Sequence, residues 1–453
     1  MRPRPAALDE TAAALDAVGG AGAADGATAL AEAAATGTAP VTPAVGAPPG
    51  RQGTFASLAV PAWRLYLSGQ AISLVGTWMQ TVGQGWLVLQ LSHSGTALGL
   101  VTAAQFVPVL LLGPYGGLLA DRLPKRLLLV ATQTVLGLTA LALGLLTVTG
   151  AVTLPWVIAL ALVLGCANAI DNPTRQSFVS ELAGPGLVRN AVTLNSVLVN
   201  GARAVGPAVA GLLIAGVGVG WCFLANAASY LAVLVVLHRL GRHALFPSEP
   251  TRRAKGQLRE GLAYVRRTPA LLAPLLMMAL VGMLTYEFQV TLPILAQSGL
   301  HGGADTYGLL TGAMGVGAIV GGLVVARLAV TGLPALVGAA AAFGAAVGLA
   351  AVAPGVPLEL LALTLVGAAS IAFLSAGNTT LQLTSDPGYR GRVMALWSVA
   401  FLGSTPIGGP VAGYISQHLG PRWGLGMGAL ACCLAALGGL AVIVRTRRAA
   451  PAA

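Results

Sequence analysis

Two ionisable side chains stand where charge is costly. Glu287 lies mid-way along an apolar run, beside Tyr286 and Gln289, and Arg203 continues a polar face through Ser196 and Asn200 on another. Charge near the middle of a bilayer costs at least ~2.5–3.5 kcal/mol on insertion scales, so each group needs a chemical reason. A desolvated carboxyl can bind and release a proton when access to it switches sides. Glu287 is therefore the candidate carrier of a coupling proton, and Arg203 the group that tunes it or meets an anionic substrate. The alternatives are a static buried ion pair and a boundary glutamate reaching water.

Neutral polar groups form stripes. Gln70, Ser73, Thr77, Gln80 and Gln84 recur at helical spacing, as do Ser375, Asn378, Thr379 and Gln382, and Asn168 shares a face with Asn172. In lipid such groups must face other helices or water. With Gln289 they are expected to line a cavity for a small molecule; the alternative is hydrogen-bond glue between helices. A third cluster is the stretch Gly117-Leu-Leu-Ala-Asp121-Arg122-Leu-Pro-Lys125-Arg126, which is flanked by residues 65–120 and 127–170 without one Asp, Glu, Lys or Arg. It reads as a tight turn between membrane helices and as a gate. Asp121 would sit at a helix N-terminus, and the basic residues would pair with Asp171 and Glu181 of the neighbouring loop. Otherwise the turn is a topology signal alone. Gly206, Pro207 and Gly211 permit close approach and bend a helix, as a hinge or as plain packing.

The elements that position these groups follow from composition. The chain has 453 residues, 56% hydrophobic and 9% charged, against about 25% charged in soluble proteins. Its solvent is the lipid bilayer. Apolar runs at 65–91, 97–120, 127–149, 153–171, 190–216, 220–238, 271–297, 305–328, 332–353, 357–383, 393–417 and 421–444 predict an all-α protein with twelve membrane spans. With the N-terminus cytoplasmic, all of the 25 basic residues except Arg203 and Arg422 fall on the inner side. Both termini are then cytoplasmic, in a multi-pass protein of the cell membrane. The same bias accounts for the net charge of +11, so nucleic acid is not an expected partner. Cys166, Cys222, Cys432 and Cys433 all lie in apolar runs and read as buried small hydrophobes.

The expected divisions are a disordered Ala/Gly/Pro-rich tail over 1–56, a six-helix bundle over 57–238, a cytoplasmic linker over 239–270, a second bundle over 271–444 and a tail over 445–453. The first tail lacks the basic start and apolar core of a secretory signal. Within the linker, Gln257–Arg267 places Leu258, Leu262 and Val265 on one face of an amphipathic helix at the inner membrane surface. The halves echo each other. Gly206-Pro-Ala-Val-Ala-Gly211 matches Gly408-Gly-Pro-Val-Ala-Gly413, with Ser196 and Ser398 at the same offset, and Gly117–Leu123 is echoed by Gly322–Leu328. Such a repeat predicts two pseudo-symmetric six-helix bundles about an axis along the membrane normal, with a substrate site between them.

With these motifs the chain resembles the major facilitator superfamily. Gly117–Arg126 is similar to that family's loop signature Gly-x-Leu-Ala-Asp-Arg-x-Gly-Arg-Lys, with Pro124 where the pattern has Gly. Asp171-Asn-Pro-Thr-Arg-Gln-Ser-Phe-Val-Ser-Glu-Leu, Asn190-Ala-Val-Thr-Leu-Asn-Ser and Ala202–Gly211 resemble the drug- and siderophore-export branch related to enterobactin and macrolide exporters. The resemblance covers residues 60–445. It implies the major facilitator fold, a cavity lined by spans one, four, seven and ten, an antiporter signature on span five, and proton-driven export of a small drug-, macrolide- or siderophore-like compound. The few charges along an apolar cavity point to a lipophilic compound, and a monomer is expected. The alternatives are uptake by symport and a non-transporting membrane protein. An enzyme is not expected. The chain has no Gly-x-x-x-x-Gly-Lys loop around Lys125 or Lys255, no His-Glu-x-x-His and no Gly-x-Ser-x-Gly. Neither a metal nor a cofactor is called for.

Overall fold

In lipid every backbone polar group must be satisfied within the chain, and helices do this segment by segment. The computed structural model describes residues 55–184, 186–241, 246, 257–328 and 331–449; among these no strand occurs. Most of the N-terminal tail, most of the linker before 257 and residues 450–453 lie outside the described residues. The helices are α1 (Pro61–Ser92), α2 (Gly95–Arg122), α3 (Lys125–Val148), α4 (Leu154–Ala183), α5 (Val188–Val217), α6 (Gly220–Leu240), α7 (Gln257–Arg267), α8 (Pro269–Leu284), α9 (Phe288–Ile294), α10 (Ala304–Leu328), α11 (Leu333–Val352), α12 (Val356–Thr384), α13 (Arg390–Leu402), α14 (Thr405–His418) and α15 (Pro421–Ala449).

Local chemistry sets the ends. Pro occupies the first turn of α1, α4, α8, α11, α12 and α14, where its missing N–H costs nothing. Ser94 caps α2 by accepting from the Ala97 amide at 3.2 Å. Among the described residues, ten segments are long and apolar enough to cross a membrane. The other two expected spans are consistent with crossings too. One is α1, whose hydropathy is lowered by its Gln and Gly stripe. The other is the pair α13 and α14, of 13 and 14 residues, interrupted at Gly403 and Ser404.

Two boundaries differ from expectation. The fourth span was expected to end at 171, but α4 runs to Ala183, so Asp171, Arg175 and Glu181 are helical rather than in a loop. A buried network over Asp171 supplies the polar partners that let the helix continue. The seventh span breaks after Leu284, and α9 is followed by a π-helical turn, Leu295–Gly299.

Helix pairing repeats in the two halves. α2 packs on α4 as α10 does on α12; α3 packs on α6 as α11 does on α15; α1 packs on α6 as α8 does on α15. Two seams join the halves, α2 with α14 and α5 with α10. Both depend on bare backbone: a Cβ on Gly99 would run into the Gly409 carbonyl, and one on Gly308 would stand 2.6 Å from the Pro207 oxygen. At the end remote from Lys125 the first seam is latched. Gln417 Oε1 accepts from Ser94 Oγ at 2.9 Å and from the Thr96 amide and hydroxyl at 3.0 Å each. At the basic end, Ser196 and Val197 on α5 and Gln382 on α12 are exposed.

The α7 helix has the expected span and docks on α13. Arg392 Nη1 lies 2.9 Å from Glu260 Oε2, Tyr264 donates to Asp386 Oδ2 at 2.9 Å, and the Tyr264 and Tyr389 rings stack at 4.3 Å. Val265 is buried, whereas Leu262 is exposed. The cysteines divide: Cys222 and Cys432 are buried, but Cys166 and Cys433 are exposed on lipid-length helices, which corrects the expectation that all four are buried. Exposure of a small apolar group to lipid carries no penalty.

Candidate functional site

The break between α8 and α9 organises the centre. Three consecutive residues leave the helical path and reach three different helices. Thr285 donates to the Gly428 carbonyl of α15 at 2.9 Å, and Tyr286 to the Ser370 carbonyl of α12 at 2.8 Å. Glu287 turns to α14, where it is hydrogen-bonded to the Thr405 side chain and lies against Gly408. It is 2% exposed, and its Oε1 has no hydrogen-bond partner among the described residues. An unsatisfied buried oxygen is costly, so its persistence in a packed seam needs a reason.

Arg203 lies on the other side of the joint. Its guanidinium stands over the Trp78 ring at 5.2 Å, and Nε is buried without a partner among the described residues. It lines a cavity of about 50 Å³ with Trp78, Tyr286, Phe288, Gln289, Tyr307 and Thr311. No ion pair joins Arg203 to Glu287 among the described residues, which removes the static pair. Neighbouring positions 286 and 287 point to opposite sides, so the acid and the base occupy separate compartments.

The stripes divide between two roles. Gln70 accepts from Arg175 Nη1 at 3.2 Å, and Gln80 accepts from Asn226 Nδ2 at 2.7 Å. Both act between helices in this conformation, the glue role, because their partners on α4 and α6 face them directly. Ser73 and Gln84 are buried, Thr77 is exposed, and Asn168, Ser375 and Asn378 are half-buried, with the Asn378 Oδ1 unpartnered among the described residues. Gln289 alone of the candidates reaches the Arg203 cavity. The structure does not gather the rest around it.

In the charged turn, Lys125 Nζ and Glu181 Oε1 form an ion pair at 2.5 Å, as expected. Asp171 is not available to the turn: it pairs with Arg175 and accepts from Thr132 at 2.7 Å and Gln133 at 2.8 Å. Asp121 falls in the last turn of α2, not at the start of a helix. Arg126 donates from Nε to the Leu237 carbonyl at 2.8 Å and from Nη2 to that of His238 at 3.4 Å, closing the C-terminus of α6. The hinge residues lie where α5 meets α1 and α10. A Cβ on Gly206 would stand 2.6 Å from the Trp78 Cβ, and one on Gly211 3.1 Å from the Asp305 Cα.

Glu287 and Arg203 are not the only deep ionisable groups. Asp171 and Glu359 are both 0% exposed; the oxygens of Glu359 lack hydrogen-bond partners among the described residues, and Arg422 is its nearest compensating charge. Glu359 was missed because it stands three residues after Val356 at the edge of a span, where a glutamate ordinarily reaches water. Thr405 had a signal: it precedes Gly408 by three residues, as Arg203 precedes Gly206. No group of three or more His, Cys, Asp or Glu able to hold a metal occurs among the described residues.

The chain resembles known proteins in sequence and in fold. The family described as transmembrane secretion effector, of the major facilitator type, matches residues 52–452. The chain belongs to this family. It is 27% identical to the staphyloferrin A transporter of Staphylococcus aureus over 58% of this chain and 67% of that protein. It is 25% identical to the enterobactin exporter EntS of Shigella flexneri over 80% of this chain and 86% of that one. Among solved structures, a bacterial homologue of the lysosomal transporter Spinster, inward-facing and unoccupied, aligns with a TM-score of 0.65 at 16% identity, covering 86% of this chain and 97% of that one. A bacterial homologue of ferroportin, also inward-facing, aligns with a TM-score of 0.66 at 16% identity over 84% and 98%. These likenesses concern the fold. This member of the transmembrane secretion effector family is a multi-pass membrane transporter, not an enzyme.

Proposed function

We propose that this transporter exports a small anionic compound of the siderophore or lipophilic-drug kind by proton antiport, with alternating access between its halves. The observation that carries the reading is Glu287: an acid 2% exposed, with one oxygen unpartnered, on a broken helix and against the α2–α14 seam. Protonation there removes a buried charge from the seam, so it biases which face is closed. Substrate meets Arg203, Trp78, Tyr286 and Gln289 on the other side of the joint. A guanidinium with a spare buried N–H, set among aromatic faces, suits an anion carrying an apolar or aromatic body.

Export is favoured over uptake by the family description and by the relative named as an enterobactin exporter. The basic end is the cytoplasmic one, with both termini there. The latch at Gln417 is then the outer gate, and the turn around Gly117, Asp121, Arg122, Lys125 and Arg126 is the inner one. The Lys125–Glu181 pair fixes that turn to α4 within the N-terminal half, and Gly206, Pro207 and Gly211 serve as the hinge. One chain supplies both gates and the cavity, so a monomer suffices.

The test uses everted vesicles with an acidic interior, supplied with a labelled anionic siderophore. Uptake that collapses when the pH gradient is dissipated supports antiport-driven export. Uptake only with the opposite gradient establishes symport and removes the reading.

A further inference from the structure

We propose that the groove between the start of α3 and the end of α6 is a binding site for one anionic glycerophospholipid. The groove has a volume of about 490 Å³ and is lined by Pro124, Arg126, Leu127, Val130, Leu234 and His238, with Thr134 at its inner end. Its lining carries cationic or protonatable groups at one end and apolar groups along its length, and no acid.

The polar end is built, not incidental. Arg126 is held by its bonds to the carbonyls of Leu237 and His238, so its guanidinium stays at the rim instead of sweeping through water. Gly241 lets it lie there: a Cβ at 241 would stand 2.6 Å from Arg126 Cζ. His238 is exposed on the same rim, with Arg239 and Arg122 exposed nearby. Lys125 faces away towards Glu181, which is satisfied by that pairing and does not neutralise the groove.

The apolar end continues into exposed apolar surface on the same two helices. Leu127 is 66% exposed, and Val135, Leu138, Leu231 and Val235 on the same two helices are exposed beyond it. A lipid lying here would place its phosphodiester against Arg126 and His238 and run an acyl chain along Leu127, Val130 and Leu234. Basic pockets between membrane helices at the positively charged face recognise phospholipid head groups on this principle. A soluble anion would use the rim but gain nothing from the groove below it. The site lies on the outer surface of the α3–α6 pair, apart from the Arg203 cavity and the Glu287 seam.

The experiment is native mass spectrometry of the full-length protein in detergent, titrated with phosphatidylglycerol or phosphatidylcholine of the same acyl chains. The wild type should retain one phosphatidylglycerol at least about fivefold more tightly than phosphatidylcholine. Arg126→Gln with His238→Gln should erase that preference. Leu234→Trp, which fills the groove and leaves its charge, should weaken retention of the tight lipid about fivefold or more. Circular dichroism melting checks that each variant is folded, and Leu234→Trp keeps the test alive if the charge variant is not. Inorganic phosphate at millimolar concentration should not displace the lipid. Equal retention of the two lipids by the wild type, retention in Leu234→Trp matching the wild type, or displacement by phosphate would each overturn the assignment.

Discussion

The two halves meet their first helices through equivalent junctions, and the junctions carry opposite chemistry. In the N-terminal half, α5 crosses α1 at Gly206, and Arg203 three residues earlier stands over Trp78. In the C-terminal half, α14 crosses α8 at Gly408, and Thr405 three residues earlier is bonded to Glu287. The backbone geometry is repeated while the side chains have diverged into a cation with an aromatic face and an acid with a hydroxyl. The C-terminal junction is also the broken one, with interruptions on both partners, after Leu284 and at Gly403. A repeat that keeps its packing glycines and exchanges its charges can dedicate one copy to substrate and the other to the ion.

The comparison breaks most sharply at Glu287. Glu287→Gln should reduce gradient-driven transport in vesicles to background while substrate exchange without a gradient persists; full driven transport in this variant would remove the acid from coupling. Next come the glycines. A Cβ on Gly408 runs into the Met283 carbonyl, which is backbone and cannot yield, whereas at Gly206 its nearest atom is Trp78 Cβ at 2.6 Å. Gly408→Ala should cost about 1–3 kcal/mol in thermal melts, more than Gly206→Ala. The reverse order would mean that the junctions are not equivalent in packing.

A smaller effect is expected at the cation. Arg203→Gln should weaken equilibrium binding of an anionic substrate about tenfold, the worth of a charge-assisted hydrogen bond, and leave a neutral analogue unchanged. Equal losses for the two compounds would make Arg203 a packing residue. Least of all, Gln417→Ala removes three hydrogen bonds from a solvent-accessible latch. It should raise the population open at that end about two- to fivefold, read from distances between spin labels on α2 and α14. No shift would show that the glycine seam closes that end without help from the latch.

Much of the fold was legible because the bilayer imposes a simple code. Residues 65–120 hold no charge and more than one span's length of apolar chain, so helices and a turn at Asp121 follow from length and hydropathy. The amphipathic pattern of Gln257–Arg267 was as readable, since one helical face suffices to define it. The misreadings have one cause. Asp171 and Arg175 looked like a loop because charge ordinarily ends a span, yet Thr132, Gln133 and Gln70 arrive from other helices and satisfy them. For Gln70 and Gln80 the stripe states that a face is polar, not what it faces.

By itself the sequence determined the solvent, the helical class, the motifs repeated between the two halves and the identity of the unusual charges. These depend on composition and on spacing along one chain, which local hydrogen bonding converts directly into helices. Tertiary structure decided which charges meet. Arg203 and Glu287 lie 84 positions apart, and whether they pair depends on the turn of three residues at the α8–α9 break, where Tyr286 and Glu287 diverge. That direction is set by the packing of α12, α14 and α15 around the break, long-range contacts that no local pattern encodes.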